Sequence, residues 1–120
     1  MTTPIYQVKA EFFRTLAHPA RIRVLEVLRD GEQSVSDLVP AVGIEASHLS
    51  QQLAILRRAN LVQTRKEGTS VLYAVGNPMI FELLDVARRI LTSSLNETRA
   101  LLAELELPDS QQASRPARRR

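Results

Sequence analysis

Apolar residues recur at spacings of three and four through Ile5, Val8, Phe12, Phe13 and Leu16, the period of a helix that buries one face. Pro19 suits the first turn of a second helix with His18 as its cap, and Ile22, Leu25 and Leu28 continue one stripe as far as Gly31. Ser34 with Asp37 three residues on resembles a capping box, with Asp in place of the usual Glu or Gln. It opens a short third helix that Pro40, lacking an N–H, shortens or bends, and that Gly43 ends. A fourth helix is expected from about Glu45 to Asn60, with Asn60 suited to a left-handed C-terminal position. The period then changes: Leu61 to Lys66 and Ser70 to Val75 are short β-prone runs around Glu67-Gly68-Thr69, which predicts a hairpin. Gly76, Asn77 and Pro78 break the pattern. Beyond them Ile80, Leu84, Ala87, Leu91, Ser94, Thr98, Leu101 and Leu105 alternate spacings of four and three, as in a long helix packed along another. The fold class is mainly α with a small β-hairpin wing.

Composition narrows the chemistry. With 120 residues of which 44% are apolar, the chain is expected to fold residues 1–107 as one domain. Residues 108–120, without apolar periodicity, are expected to be a disordered basic tail. There is no cysteine, which removes disulfides, thiolate metal sites and cysteine nucleophiles together. No run of about 18 apolar residues and no basic-then-apolar leader order is present, so a soluble, cytoplasmic protein without membrane association is expected. The four glycines build no phosphate loop, and no Ser-His-acid set or paired carboxylates stand out, so an enzyme is not expected. Net charge is +3, from 16 basic against 13 acidic residues, but Arg115, Arg118, Arg119 and Arg120 lie in the last six positions. Without those four, 12 basic residues face 13 acidic ones, a balance of −1. Any case for nucleic acid must come from local clusters and shape.

The fourth helix makes that case. At about 100° per residue, Leu49, Leu53 and Leu56 share a face with Ala46. The opposite face carries Ser47, His48, Gln51, Ala54 and Arg58, flanked by Ser50 and Gln52, and holds no acid after Glu45. Short hydroxyl and amide side chains of this kind reach base edges and phosphates in a major groove without repelling the backbone. A short helix and a glycine turn precede it, and a hairpin bearing Arg65 and Lys66 follows. This is the order of a helix-turn-helix with a basic wing.

In these stretches the sequence resembles the ArsR/SmtB family of winged helix-turn-helix repressors. The matching runs are Leu16-Ala17-His18-Pro19-Ala20-Arg21 with Ile22 to Leu28, Ser34-Val35-Ser36-Asp37-Leu38, Ser47-His48-Leu49-Ser50-Gln51-Gln52-Leu53, Leu56-Arg57-Arg58-Ala59-Asn60-Leu61-Val62, and Arg65-Lys66-Glu67-Gly68-Thr69-Ser70-Val71-Leu72-Tyr73. The resemblance covers about Val8 to Leu95. It implies a homodimer built on the first and last helices, bound to double-stranded DNA at an imperfect inverted-repeat operator that an inducer makes it release. By position, Ser47, His48, Ser50, Gln51 and Gln52 would face the major groove. Arg65, Lys66, Thr69 and Ser70 would sit on the wing near phosphate or minor groove. Val8, Phe12, Ile80, Leu84, Ala87, Leu91 and Leu95 would line the dimer interface.

The chain also departs from the family. Ser34 and Ser36 stand where metal-sensing members carry two cysteines in the third helix, and hydroxyls are poor ligands for soft metals. The last helix contains Asp85 and several Glu but no histidine, a poor set for zinc, nickel or cobalt. No metal site and no cofactor are expected, and the inducer is unassigned. His18 is expected to cap a helix, and His48 to face DNA or solvent. Two further readings stand beside the regulator. One is a dimeric protein-interaction module that keeps the winged-helix shape. The other is a sensor of a non-metal ligand at the dimer interface, near Phe12, Phe13, Tyr73 and Phe81, whose plainer role is packing.

Overall fold

The computed structural model describes residues 2–105. The elements are α1 (Ile5–Leu16), α2 (Pro19–Val27), a 3-10 turn (Leu28–Asp30), β1 (Gln33–Ser34), α3 (Val35–Val42), α4 (Ala46–Arg58), β2 (Val62–Glu67), β3 (Ser70–Val75) and α5 (Met79–Leu105). Two compact units divide the chain, 1–82 and 83–120. The expected tail at 108–120 lies outside the described residues.

The helix ends form where capping chemistry places them. His18 Nδ1 accepts from the Ala20 N–H at 3.2 Å, and Pro19 takes the first helical position, where its missing donor costs nothing. Ser34 Oγ accepts from Asp37 N at 3.2 Å and starts α3. After eight helical residues the chain leaves α3 through Gly43 at φ 82°, a conformation open to a residue without Cβ. At the end of α4, Asn60 adopts φ 61°. The Asn60 N–H donates to Arg57 O and the Leu61 N–H to Leu56 O, the paired bonds of a Schellman motif.

The core of the first unit lies where α2, α3 and α4 converge. Val24, Leu25, Leu38, Leu49, Leu53 and Leu56 are wholly buried, with Val62 of β2 and Leu16 of α1 against them. Each such side chain contributes roughly 1.5–3 kcal/mol of hydrophobic stabilisation. The first turn of α5 joins this unit. Ile80 is buried, the Arg29 guanidinium stacks 5.1 Å from the Phe81 ring centre, and Arg29 Nη2 donates to Phe81 O.

The wing contains one strand more than the periodicity predicts. The sheet is antiparallel with order β1-β3-β2. β1 pairs Gln33 with Tyr73 and Ser34 with Leu72, while β2 and β3 pair from Val62–Val75 to Glu67–Ser70. A two-residue strand is too short to show alternation, and its second residue doubles as the cap of α3. The β2–β3 connection is a two-residue turn with Gly68 at φ 63° in its first central position.

Candidate nucleic-acid interface

α3, the turn Gly43-Ile44-Glu45 and α4 form the helix-turn-helix. Because Leu49, Leu53 and Leu56 are turned into the core, the opposite side of α4 is fixed outward. Ser47, His48, Ser50, Gln51 and Arg58 are exposed on it, with Ala54 half-buried. The His48 ring lies edge-on to His18, centroids 6.0 Å apart. Among the described residues, the exposed large apolar side chains lie on α1, at Met79 and along α5, and none lies on α4.

Gln52 departs from the expectation. It is 6% exposed, and its Oε1 accepts from Arg21 Nε at 2.7 Å. Arg21 Nη1 in turn donates to Thr15 O at 3.0 Å. The pair ties α4 to α2 and to the end of α1, so Gln52 faces inward rather than toward a groove. Its place beside Leu53, on the rim of the apolar face, carried that signal. Arg21, 31 positions earlier, is the partner that periodicity alone does not reveal.

Strand alternation sorts the wing into two faces. Gln33, Val62, Thr64, Lys66, Val71, Tyr73 and Val75 share the face that meets the core and α4, as the burial of Val62 shows. Arg65 and Glu67 lie on the other face. There Arg65 Nε donates to Glu32 Oε2 at 2.7 Å, and Arg65 Nη2 donates to Glu32 Oε1 at 2.8 Å and Glu67 Oε2 at 2.9 Å. Two carboxylates against one guanidinium leave this cluster at −1, so the wing that looked basic in sequence is neutral once Lys66 is added. Hydrogen bonding from Arg65 holds the Glu32 carboxyl below its ordinary range, and the two carboxylates raise Arg65 further. Lys66, Thr69 and Ser70 are exposed at or beside the hairpin end.

The residues assigned to a dimer interface divide. Val8 is exposed and Phe12 half-buried on α1; Leu84 is half-buried and Ala87, Leu91 and Leu95 are exposed on α5. Ile80 does not belong with them, because it is only 6% exposed within its own chain. Among the described residues no three His, Cys, Asp or Glu side chains stand together as a metal site. Ser34 and Ser36, at the positions of the family's metal-binding cysteines, have their hydroxyls 3.3 Å apart, and Ser34 Oγ is occupied in capping α3. This donor set does not fit a soft metal. No helix among the described residues is long and apolar enough to cross a membrane.

A helix-turn-helix with an outward hydroxyl and amide face, followed by an antiparallel sheet, defines a winged helix-turn-helix protein. Residues 18–64 match the bacterial regulatory proteins of the ArsR family. An uncharacterized HTH-type transcriptional regulator of Mycobacterium tuberculosis, Rv0081, is 50% identical over 103 residues, 85% of this chain and 90% of that protein. Its crystal structure superposes with a TM-score of 0.73, covering 81% of this chain and 98% of the other. The transcriptional repressor BigR of Xylella fastidiosa is 32% identical with a TM-score of 0.66, over 71% of this chain and 87% of its own. A homodimeric winged helix-turn-helix DNA-binding domain of Mycobacterium bovis, Mb0332, is 25% identical with a TM-score of 0.68, over 78% and 86%. The chain belongs to the ArsR family.

Proposed function

We propose that this protein is a homodimeric transcriptional repressor that binds an imperfect inverted-repeat operator in the cytoplasm and answers to a signal other than a soft metal. The observation that carries this reading is the outward face of α4, which is polar, free of acids after Glu45 and free of large apolar anchors. A protein-docking surface would instead offer large apolar or aromatic anchors, and among the described residues none is exposed on α4. Ser47, His48, Ser50 and Gln51 enter the major groove, where glutamine pairs with adenine and serine serves several bases. Lys66, Thr69 and Ser70 meet the adjacent backbone or minor groove. The second copy seats against Val8 and Phe12 of α1 and against Leu84, Ala87, Leu91 and Leu95 of α5. This presents two fourth helices to half-sites one helical turn or a multiple apart.

The reading is tested by fluorescence anisotropy with the DNA upstream of the protein's own gene and with a scrambled duplex. Wild type prefers the first, and the preference is indifferent to zinc, nickel and cadmium. Ser47→Ala with Gln51→Ala lowers operator affinity by about tenfold or more, since each good base contact is worth about 1–3 kcal/mol, and leaves the dimer intact. Equal binding of both duplexes by wild type sinks the reading.

A further inference from the structure

α4 ends in two exposed arginines, Arg57 and Arg58, which have no carboxylate partner among the described residues. With Ser50, Leu53, Ala54 and Tyr73 they line a cleft of about 380 Å³ between α4 and β3. The sheet face toward this cleft also carries Thr64, paired with Tyr73, and Lys66, paired with Val71. Arg65, which the family resemblance places on the wing near phosphate or minor groove, lies on the opposite face and is engaged by Glu32 and Glu67. Beside the wing, Arg57, Arg58 and Lys66 thus put positive charge on the cleft side, whereas the charge of Arg65 on the outer face is engaged.

Duplex geometry gives this cleft an occupant. When a helix lies in the major groove and a hairpin reaches the adjacent minor groove, one sugar–phosphate strand separates the two grooves and must pass between helix and hairpin. In this protein that passage is the α4–β3 cleft. We propose that the cleft holds a phosphate of the DNA backbone, with Arg57 and Arg58 supplying charge, Ser50 and Tyr73 supplying hydroxyls, and Arg65 acting as a wing strut that takes no part in phosphate binding. The inference rests on the regulator reading above and deepens it by naming the backbone clamp. Basic residues in a last helical turn also complement the helix dipole. That role affects folding stability and leaves the salt dependence of DNA binding unchanged.

The test is the slope of log Kd against log salt concentration for full-length protein on the upstream and scrambled duplexes. Each lost phosphate contact lowers the slope magnitude by about 0.9. Arg57→Ala with Arg58→Ala therefore lowers it by up to about two, weakens both duplexes alike, and is largely restored by lysine at both positions. Arg65→Ala keeps the wild-type slope. Thermal melts confirm that each variant is folded, and Arg58→Gln alone replaces the double variant if that one melts early. An unchanged slope in the folded arginine variants overturns the proposal. So does a loss confined to the upstream duplex, or a drop in slope on Arg65→Ala. If wild type binds no duplex, the regulator reading falls and the cleft with it. If wild type binds selectively and the slopes do not move, the cleft alone falls.

Discussion

Gln51 and Gln52 are neighbours of the same type with opposite fates. A rotation of about 100° carries one outward to solvent and the other beneath Arg21. Residue type could not separate them; only the position of the apolar stripe could, and Gln52 sits at its margin. Gln52→Ala is therefore expected to act on stability. It leaves Nε of the half-buried Arg21 without its acceptor, Nη1 keeping Thr15 O, and costs about 1–3 kcal/mol in chemical denaturation, while operator preference is retained. A Gln52→Ala protein that is fully stable but indifferent to sequence would return this residue to the groove. His18 shows the reverse case, in which the bland reading was legible. A histidine before proline at a helix start is a cap, and Nδ1 is occupied as one.

Among the elements, the helices were readable because their signals are local: His18 caps α2, Ser34 and left-handed Gly43 bound α3, and left-handed Asn60 follows α4. What the sequence withheld is non-local. β1 exists only because Gln33 and Ser34 find β3 some 40 residues away. The ion pairs of Arg65 likewise depend on Glu32, 33 positions earlier. Wing charge was consequently overestimated from the Arg65-Lys66 pair. The Glu32–Arg65 pairing has a pH signature. A carboxyl held below its ordinary value of 4.5 contributes stability that is fully present above that value and is lost as pH falls through the lower folded value. Glu32→Gln should flatten the stability profile in the acid range, leaving the variant slightly less stable than wild type near neutrality, where only Glu32 is charged, and equal to it at low pH, where Glu32 is protonated. A profile identical to wild type throughout the acid range would show that the pairing is not formed in solution. Exposed pairs of this kind contribute little in total, so the change of shape is the observable.

Among the described residues, the exposed large apolar side chains lie on α1, in the first unit, and along α5. Ile5, Tyr6, Val8 and Phe13 are exposed on α1, and Ile90, Leu91, Leu95 and Leu105 on α5. Large apolar side chains left exposed together along a helix mark a surface that a partner covers. Leu91→Glu with Leu95→Glu is expected to convert the proposed dimer to monomer in light scattering and to weaken operator binding at least a hundredfold, because two half-sites are no longer held together. A dimer that survives both charges would move the interface elsewhere. The alternating stripe anticipated this surface but included Ile80, which is consumed by its own chain's core. The double duty of Ser34 has a further consequence. It pairs with Leu72 in the sheet and caps α3, so the first helix of the helix-turn-helix and the wing share a joint at one residue. A signal that tilted the wing against the helix-turn-helix would have to unzip β1 and uncap α3 together. A signal that only changes the spacing between two intact readers breaks neither. In the proposed dimer, an inducer is therefore expected to work as a caliper set across the two copies, with its imprint in half-site spacing rather than in base preference.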